Sequence, residues 1–316
     1  MSKEVIYKRI WWSGLIGLLS LALFAGVGCK RMVFDDLSGC PQLVRLHLQY
    51  EDACGKPVED KYAPLAKGKE LRIFAFREDG TRIKLDRTPT LQLPPTADSF
   101  YDVTLWEYGK VTFVTLLAEQ LKLYGLEQVE PKSLDELVVT LSQQQELKSD
   151  LPELWYGINN TYDNRGYDHR GTVTDTIVMP MQERLHTFKL NINGIPDGSY
   201  TLELTTPQNS FAASGLPADN SITYRQPLHV TKGRGQVAFD LMRIYPDRAK
   251  EVELRIVDSK GRVQYRTTFG EFFGLSANAV ANFCERDIEM NIELESWVLV
   301  AARVLQWNLV WRRVVL

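Results

Sequence analysis

Most of the chain beyond residue 40 alternates hydrophobic and polar residues with a period of two. Residues 43–50 and 287–295 show this pattern most clearly. Because successive side chains of a β-strand point to opposite faces of a sheet, this period is typical of strands with one buried face. Similar or more continuously apolar segments between turn residues predict further strands at residues 71–76, 81–85, 101–106, 111–118, 173–179, 186–193, 200–204, 221–230, 236–245, 252–257 and 262–269.

Two segments depart from this alternation. Residues 133–147 begin with a Ser-Leu-Asp-Glu capping box and continue with apolar residues at helical spacing, which predicts a short helix. Residues 158–171 are rich in asparagine, aspartate, glycine and arginine, and this composition predicts a loop. Short strands separated by turn residues are typical of β-sandwiches. The sequence therefore predicts an all-β fold of two tandem antiparallel β-sandwich domains with one short helix, at residues 42–182 and 183–316.

The first 28 residues have the organisation of a secretory signal peptide. A basic start is followed by 15 residues without charge, 10–24, and then by small residues up to Gly28. A membrane-spanning helix needs roughly 20 apolar residues, so a span is the weaker interpretation. The Gly28-Cys29 junction resembles a bacterial lipobox, in which the cysteine receives a lipid before cleavage. We expect residues 1–28 to be removed and Cys29 to be lipidated; an ordinary signal peptide is the alternative.

The charge of the mature protein argues for solubility of the part that follows Cys29. The whole chain has a net charge of −3, and residues 1–28 contain three basic residues and one acidic residue, so their removal leaves about −5. A nucleic-acid partner is not expected, because such proteins present a basic surface. Residues 29–41 are then a polar, lipidated tether that leads into the first domain.

Three cysteines follow the predicted lipidation site, namely Cys40, Cys54 and Cys284. In an oxidising compartment two of them can form a disulfide, and the sequence leaves the pairing open. The spacing of the cysteines fits no zinc-binding motif, and the four histidines are scattered along the chain. We therefore predict neither a metal nor a cofactor.

Catalytic motifs are missing from the sequence. It contains no nucleophile elbow, phosphate-binding loop or dinucleotide fingerprint, and it offers no nucleophile–base pair for a hydrolase. We therefore predict no enzyme activity and no small-molecule substrate. An alternative function is a glycan-binding surface lipoprotein, for which the aromatic platform would consist of Trp155, Tyr156, Tyr162 and Tyr167.

A short motif after the predicted lipidation site resembles a known family. Residues 34–41 read Phe-Asp-Asp-Leu-Ser-Gly-Cys-Pro, and they are similar to the start of FimB-type fimbrium subunits of Bacteroides-group bacteria. These subunits are lipoproteins that anchor or assemble surface pili. Residues 151–157, the predicted hairpin at 255–263 and the C-terminal residues 306–310 are also similar to that family.

The resemblance implies two transthyretin-like sandwiches, no enzyme activity and attachment to the outer membrane at the cell surface through the lipid on Cys29. It also implies a partner, the pilin of the fimbrial shaft, joined by strand exchange. The candidate strand for this contact lies in the apolar residues 298–316, where one face would consist of Leu305, Trp307, Leu309 and Trp311. The same residues also fit the last core strand of the second domain, which is the interpretation that we favour.

Overall fold

The computed structural model describes residues 41–52, 54–58, 69–85, 90–92, 100–126, 130–141, 151–165, 174–218, 220–245, 248–273, 286–304 and 309–312 of the 316-residue chain. Its strands are β1 Gln42–Glu51, β2 Glu70–Arg77, β3 Arg82–Ile83, β4 Thr90–Gln92, β5 Phe100–Leu105, β6 Lys110–Ala118, β7 Val138–Thr140, β8 Leu154–Asp163, β9 Thr174–Glu183, β10 Leu185–Asn193, β11 Gly198–Thr206, β12 Ser210–Ala212, β13 Pro217–Ala218, β14 Ile222–Val230, β15 Arg234–Met242, β16 Glu253–Asp258, β17 Val263–Thr268, β18 Asp287–Glu295, β19 Val298–Val304 and β20 Leu309–Arg312. The helical elements are α1 Phe269–Phe273 and the 3-10 turns Leu121–Tyr124 and Ala249–Glu251. The all-β prediction is confirmed.

The first half of the chain folds into an eight-stranded sheet with the order β3-β2-β6-β8-β9-β1-β5, in which β4 also pairs with β2. Strands β8 and β9 each have ten residues but pair at only three positions, so the sheet divides there into two layers. Apolar side chains from both layers pack between them, for example Leu46 of β1 and Phe113 of β6. The result is a sandwich made from one continuous sheet.

The second half contains two sheets, with the orders β15-β10-β18-β19-β20 and β14-β11-β16-β17. Their inward side chains form one core, to which Phe188 of β10, Leu204 of β11 and Ile292 of β18 contribute. Antiparallel pairs predominate, as predicted, and each half adds one parallel pair, β1 with β9 and β10 with β18. In both halves the first strand lies between one antiparallel and one parallel neighbour.

The alternating pattern correctly predicts the buried face of the clearest strands. In β18 every even-numbered residue is buried and every odd-numbered one is intermediate or exposed. The same holds in β1 for Val44, Leu46 and Leu48. Burial of one apolar row also fixes the register, because a shift by one residue would move the whole row into solvent.

The helix predicted at residues 133–147 is wrong over its described part. Residues 134–136 form a turn, and β7 follows where the helix was expected to continue. The Glu136 carboxylate accepts a hydrogen bond from the Lys132 N–H at 2.8 Å, so the acidic residue of the predicted capping box does bind backbone nearby. The three residues of β7, two valines and a threonine, are all β-branched, which favours extended chain over helix.

The loop predicted at residues 158–171 is wrong over its first six residues, because β8 extends to Asp163. Pairing with β6 continues to the end of the strand, where Asp163 lies opposite Lys110, and the Tyr162 ring is buried in the core of the first sandwich. The Tyr162 hydroxyl donates a hydrogen bond to the Asp175 carboxylate at 2.9 Å. Here the partner strand determines the conformation, although the local composition is polar.

Two glycines with similar backbone angles allow a test of close packing. Gly194 has φ +80° and Gly261 has φ +78°. A Cβ at position 194 would overlap with the carbonyl oxygen of Leu294, whereas no described atom lies within 4 Å of a Cβ at position 261. We expect Gly261→Ala to cost roughly 1 kcal/mol through its positive φ. Gly194→Ala should cost roughly 1–3 kcal/mol more through overpacking, measured by urea unfolding. Equal losses would contradict the described approach of the two strands.

Candidate interaction sites

The start of β1 and the start of the second half lie at opposite ends of the first sandwich. Strands β1 and β9 are parallel over nine positions, from Leu43 opposite Thr174 to Glu51 opposite Gln182. Residues 29–41 precede β1, and β10 begins two residues after β9 ends. Eight steps along a strand span about 26 Å, which separates the two attachment points. We call the end of the sandwich where β1 begins the tether end.

The second half begins where β9 ends, because only Arg184 separates β9 from β10. Strands β10 and β18 are parallel, and both run away from the first sandwich. A turn at Ser296 and Trp297 then reverses the chain into β19, and β20 runs outward again beside β19. The β18–β19 turn and the C-terminal end of β20 therefore lie at the end of the second half that is remote from the junction with the first half.

Strand β20 forms one edge of the five-stranded sheet. It pairs with β19 from Val304 opposite Leu309 to Ala301 opposite Arg312, and no other strand in the described part of the chain pairs with it. An edge strand presents backbone N–H and C=O groups to which another strand can add. The predicted site residues Leu309 and Trp311 lie in this strand. Leu305 and Trp307 lie outside the described residues.

The C-terminal segment thus forms an antiparallel hairpin rather than the single strand considered from the sequence. Its inner strand β19 contributes Ala302 to the core, in agreement with the core-strand interpretation for this part. A β-bulge opposite Glu293 and Leu294 makes Val300 an extra residue in β19, and its side chain is exposed, as is that of Val298. Exposed apolar groups therefore accompany the strand next to the open edge.

A three-stranded sheet joins the two halves. Strand β7 belongs to the first half and pairs with β12 of the second half, with Phe211 opposite Val139. Next to this ladder the Leu141 N–H donates to the Asn209 carbonyl oxygen at 2.9 Å, and the Asn209 side-chain amide donates to the Leu141 carbonyl at 3.3 Å. Backbone hydrogen bonds therefore cross the junction directly.

Arg184 occupies the centre of this junction. Its guanidinium lies 4.9 Å from the ring centre of Tyr156 and 5.3 Å from that of Phe211, so it contacts one aromatic ring from each half. The two rings also meet edge to face at 5.2 Å, and the Tyr156 hydroxyl donates to the Ala213 carbonyl. One apolar cluster continues from the first sandwich into the second through these residues. No sequence pattern had indicated Arg184.

Residues 37–312 match the family model of the fimbrillin-A associated anchor proteins Mfa1 and Mfa2. The chain belongs to this family. The matched range includes both halves, the junction and β20. The family assignment confirms the resemblance to a Bacteroides-group fimbrial anchor family that the motif at residues 34–41 indicated.

Solved structures share the fold at low identity. The fimbrial anchor protein Mfa2 from Porphyromonas gingivalis aligns with a TM-score of 0.66 and 15% identity, over 85% of this chain and 99% of that one. A candidate polysaccharide-binding protein from Bacteroides thetaiotaomicron aligns with a TM-score of 0.65 and 16% identity, over 86% and 98%. A candidate adhesin from the same species has a TM-score of 0.62 and 13% identity, over 88% and 99%. No curated protein sequence matches the chain.

The aromatic platform predicted for the glycan-binding alternative is wrong. Trp155, Tyr156 and Tyr162 are only 2%, 1% and 7% exposed, and Tyr167 lies outside the described residues. Because β8 lies between two apolar cores, neighbouring residues on opposite faces are both buried, and their rings pack against protein. A run of consecutive apolar residues, Leu-Trp-Tyr-Gly, was the sequence signal for this double burial.

Cys54 is the one cysteine that lies within the described residues, and it is disulfide-bonded. Strand β1 separates Gln42 from Glu51 by about 30 Å. Cys40 is two residues before this strand and Cys54 three after it, so the intervening chain spans at most about 19 Å. A disulfide requires Cα atoms within about 7 Å, which disfavours Cys40 as the partner. If Cys29 carries lipid, Cys284 remains, and this pairing stays a prediction.

The described residues contain no group of three or more histidine, cysteine, aspartate or glutamate side chains positioned to hold a metal ion. In the same part of the chain, none of the helices has the length and apolar character needed to cross a bilayer.

A buried carboxyl at the junction makes stability depend on pH. Glu183 ends β9, and its carboxylate lies 2.9 Å from the Arg286 guanidinium at the start of the β18 segment. Burial raises the pKa of Glu183 from 4.5 to about 7; Arg286 opposes this shift, and the nearby Glu153 adds to it. The folded protein therefore holds this proton more tightly than the unfolded chain does.

The free energy of unfolding should therefore fall as the pH rises from about 4.5 to 7, by an amount on the order of 3 kcal/mol for this group. Glu183→Gln removes the titrating group, so its stability should vary less over this window. Urea unfolding of both proteins at intervals of half a pH unit checks this expectation. A variant profile as steep as that of the wild type would contradict the proposed role of Glu183.

Proposed function

We propose that this protein holds a fimbrial shaft pilin at the cell surface, with the lipid on Cys29 in the outer membrane and the second half in contact with the pilin. The observation that carries the proposal is the opposite placement of the tether end and the outward-running edge strand β20. An anchor needs two separate attachment points, and the family of fimbrial anchor proteins supplies the class of partner.

Strand addition at β20 is the proposed mode of pilin contact. In this mode backbone hydrogen bonds supply affinity, and alternate side chains such as Leu309 and Trp311 set the register. The open side of β20 and the exposed valines of β19 support this choice. Residues 298–316 would then serve both of the roles considered for them: β19 completes the core of the second half, and β20 is the edge strand that contacts the pilin.

The two halves would act as one rigid connector between membrane and filament. We propose that residues 42–182 and 183–316 are two domains, because the large sheets of each half use only strands from that half. The ladder of β7 with β12 and the contacts of Arg184 would resist bending between them. An anchor under tension benefits from such a junction, since a flexible linker would let the filament base pivot.

Loss of the lipidated cysteine should release the protein and its filament. In a strain that carries Cys29→Ser, we expect the protein to move from the membrane fraction to the soluble fraction and fimbriae to appear in the medium. Ser38→Ala in the same tether is the matched control and should change neither. Fractionation with immunoblotting and electron microscopy of the medium are the measurements. Unaltered fractionation of Cys29→Ser would refute lipid anchoring.

Proline substitutions can distinguish the contribution of the open side of β20 from that of the side that pairs with β19. Neighbouring residues of a strand direct their N–H groups to opposite sides, so of Val310 and Trp311 only one points toward β19. Val310→Pro and Trp311→Pro should therefore differ in Tm, because only one of them removes a ladder hydrogen bond. The variant that keeps the wild-type Tm should lose binding to the purified shaft pilin.

Val310→Ala and Trp311→Ala are the matched controls, because each truncates the side chain but keeps the backbone N–H. On the open side, the alanine variant should retain more binding than the proline variant at the same position. Pull-down of the pilin by each variant gives the binding readout. If the proline variant with unchanged Tm still captures the pilin as the wild type does, strand addition at β20 is wrong and the contact lies elsewhere.

A further inference from the structure

Two exposed aromatic side chains lie at the tether end of the first sandwich. Trp106 is 53% exposed and Tyr108 is 60% exposed, and they are the first and third residues after β5. The last residue of β5, Leu105, pairs with Gln42, the first residue of β1. Trp106 and Tyr108 are therefore beside the point where residues 29–41 join the folded part of the chain.

Hydrogen bonds to Asn164 fix the backbone of the segment that carries these aromatic residues. The fully buried Asn164 donates from its side-chain amide to the Glu107 carbonyl at 2.8 Å and accepts a hydrogen bond from the Gly109 N–H at 2.6 Å. Its own N–H donates to the Gly109 carbonyl at 3.1 Å. Glu107, which lies between the two aromatic residues in sequence, pairs through its carboxylate with Arg77 at 2.6 Å. The rings are thus displayed on a preorganised segment.

The charges around this segment are already paired within the protein. In addition to the Arg77–Glu107 pair, Lys110 lies 3.1 Å from Glu78, and Arg165 lies 2.5 Å from Asp163. Cationic side chains that bind anionic lipid would be expected to remain unpaired at the protein surface. Tryptophan and tyrosine, in contrast, favour the boundary between lipid headgroups and hydrocarbon, where an apolar ring body and a polar group are both accommodated.

We propose that the segment 106–108, here called the aromatic loop, inserts into the headgroup region of the bilayer that carries the lipid on Cys29. This inference rests on the proposed lipidation. Twelve residues separate Cys29 from Gln42 and can extend to roughly 40 Å, so the lipid alone leaves the orientation of the domain open. A second contact at the tether end fixes that orientation, and β20 then faces away from the membrane.

The test uses the lipidated mature protein in phosphatidylcholine vesicles that contain brominated phosphatidylcholine, with tryptophan fluorescence as the readout. The other described tryptophans are buried in β8, as Trp155, or belong to the second half, as Trp297 and Trp311. We expect bromine to quench the wild-type emission and Trp106→Phe to lose most of that quenching. Quenching that is the same in both proteins overturns the inference.

A second measurement uses unlipidated protein, Cys29→Ser, so that the aromatic loop is the only proposed contact. Its partition onto phosphatidylcholine vesicles should fall roughly tenfold when Trp106→Ala and Tyr108→Ala are combined. Phe100→Ala is the matched control, because Phe100 is 46% exposed but lies at the other end of β5, five residues away. An equal fall for the control, or binding only when phosphatidylglycerol is present, overturns the aromatic contact.

The outcomes distinguish this inference from the proposed function. Lipidated protein that floats with vesicles but shows no Trp106-dependent quenching leaves the lipid anchor intact and removes the aromatic loop from the membrane. Cys29→Ser protein that stays with the cell envelope, and leaves it only when Trp106→Ala and Tyr108→Ala are added, would instead show that the loop and not the lipid holds the protein on the membrane.

Discussion

The structure depends on the close contact between its two halves around Arg184. A guanidinium placed over two aromatic rings contributes about 0.5–2 kcal/mol, more when it is desolvated, and this one holds Tyr156 and Phe211 from different sandwiches together. The β7–β12 ladder closes the same junction with backbone hydrogen bonds. Because the rings also belong to the shared apolar cluster, separating the halves would expose core surface to water. The relative position of tether end and edge strand is therefore a property of the fold.

The sequence predicts the strands whose burial is one-sided and misses those defined by distant partners. Alternation identified β1, β10 and β18 with the correct inward faces, since each strand contains the pattern within itself. Strands β7 and β8 depend on neighbours that are remote in sequence. The capping-box residues before β7 and the asparagines of β8 suggested a helix and a loop. Local composition could not reveal that β6 and β12 would supply pairing there. The parallel pairs β1–β9 and β10–β18 are long-range for the same reason.

The candidate sites, like the strands, could be predicted from the sequence only in part. The apolar C-terminal segment was readable because it lies in one short stretch, and it includes the strand that forms the sheet edge; lipidation of Cys29 stays a prediction. The choice of Trp155, Tyr156 and Tyr162 as a surface platform failed because aromatic content says nothing about which side of a strand is covered. Arg184 and Asn164 had no sequence signal, since a single arginine or asparagine acquires its role only through the residues that surround it. The exposure of Trp106 likewise follows from the end of β5, which alternation alone does not locate.

The parallel pairing of β1 with β9 has a mechanical consequence. A pull on the tether acts at the beginning of β1, while a pull from the second half acts at the end of β9. These forces point in opposite directions along two adjacent strands, so they load the nine-position ladder in shear. Its hydrogen bonds then share the force and must fail together, whereas a hairpin pulled open at one end loses them one at a time. The strand arrangement of the first sandwich is thus one that resists tension applied along β1 and β9.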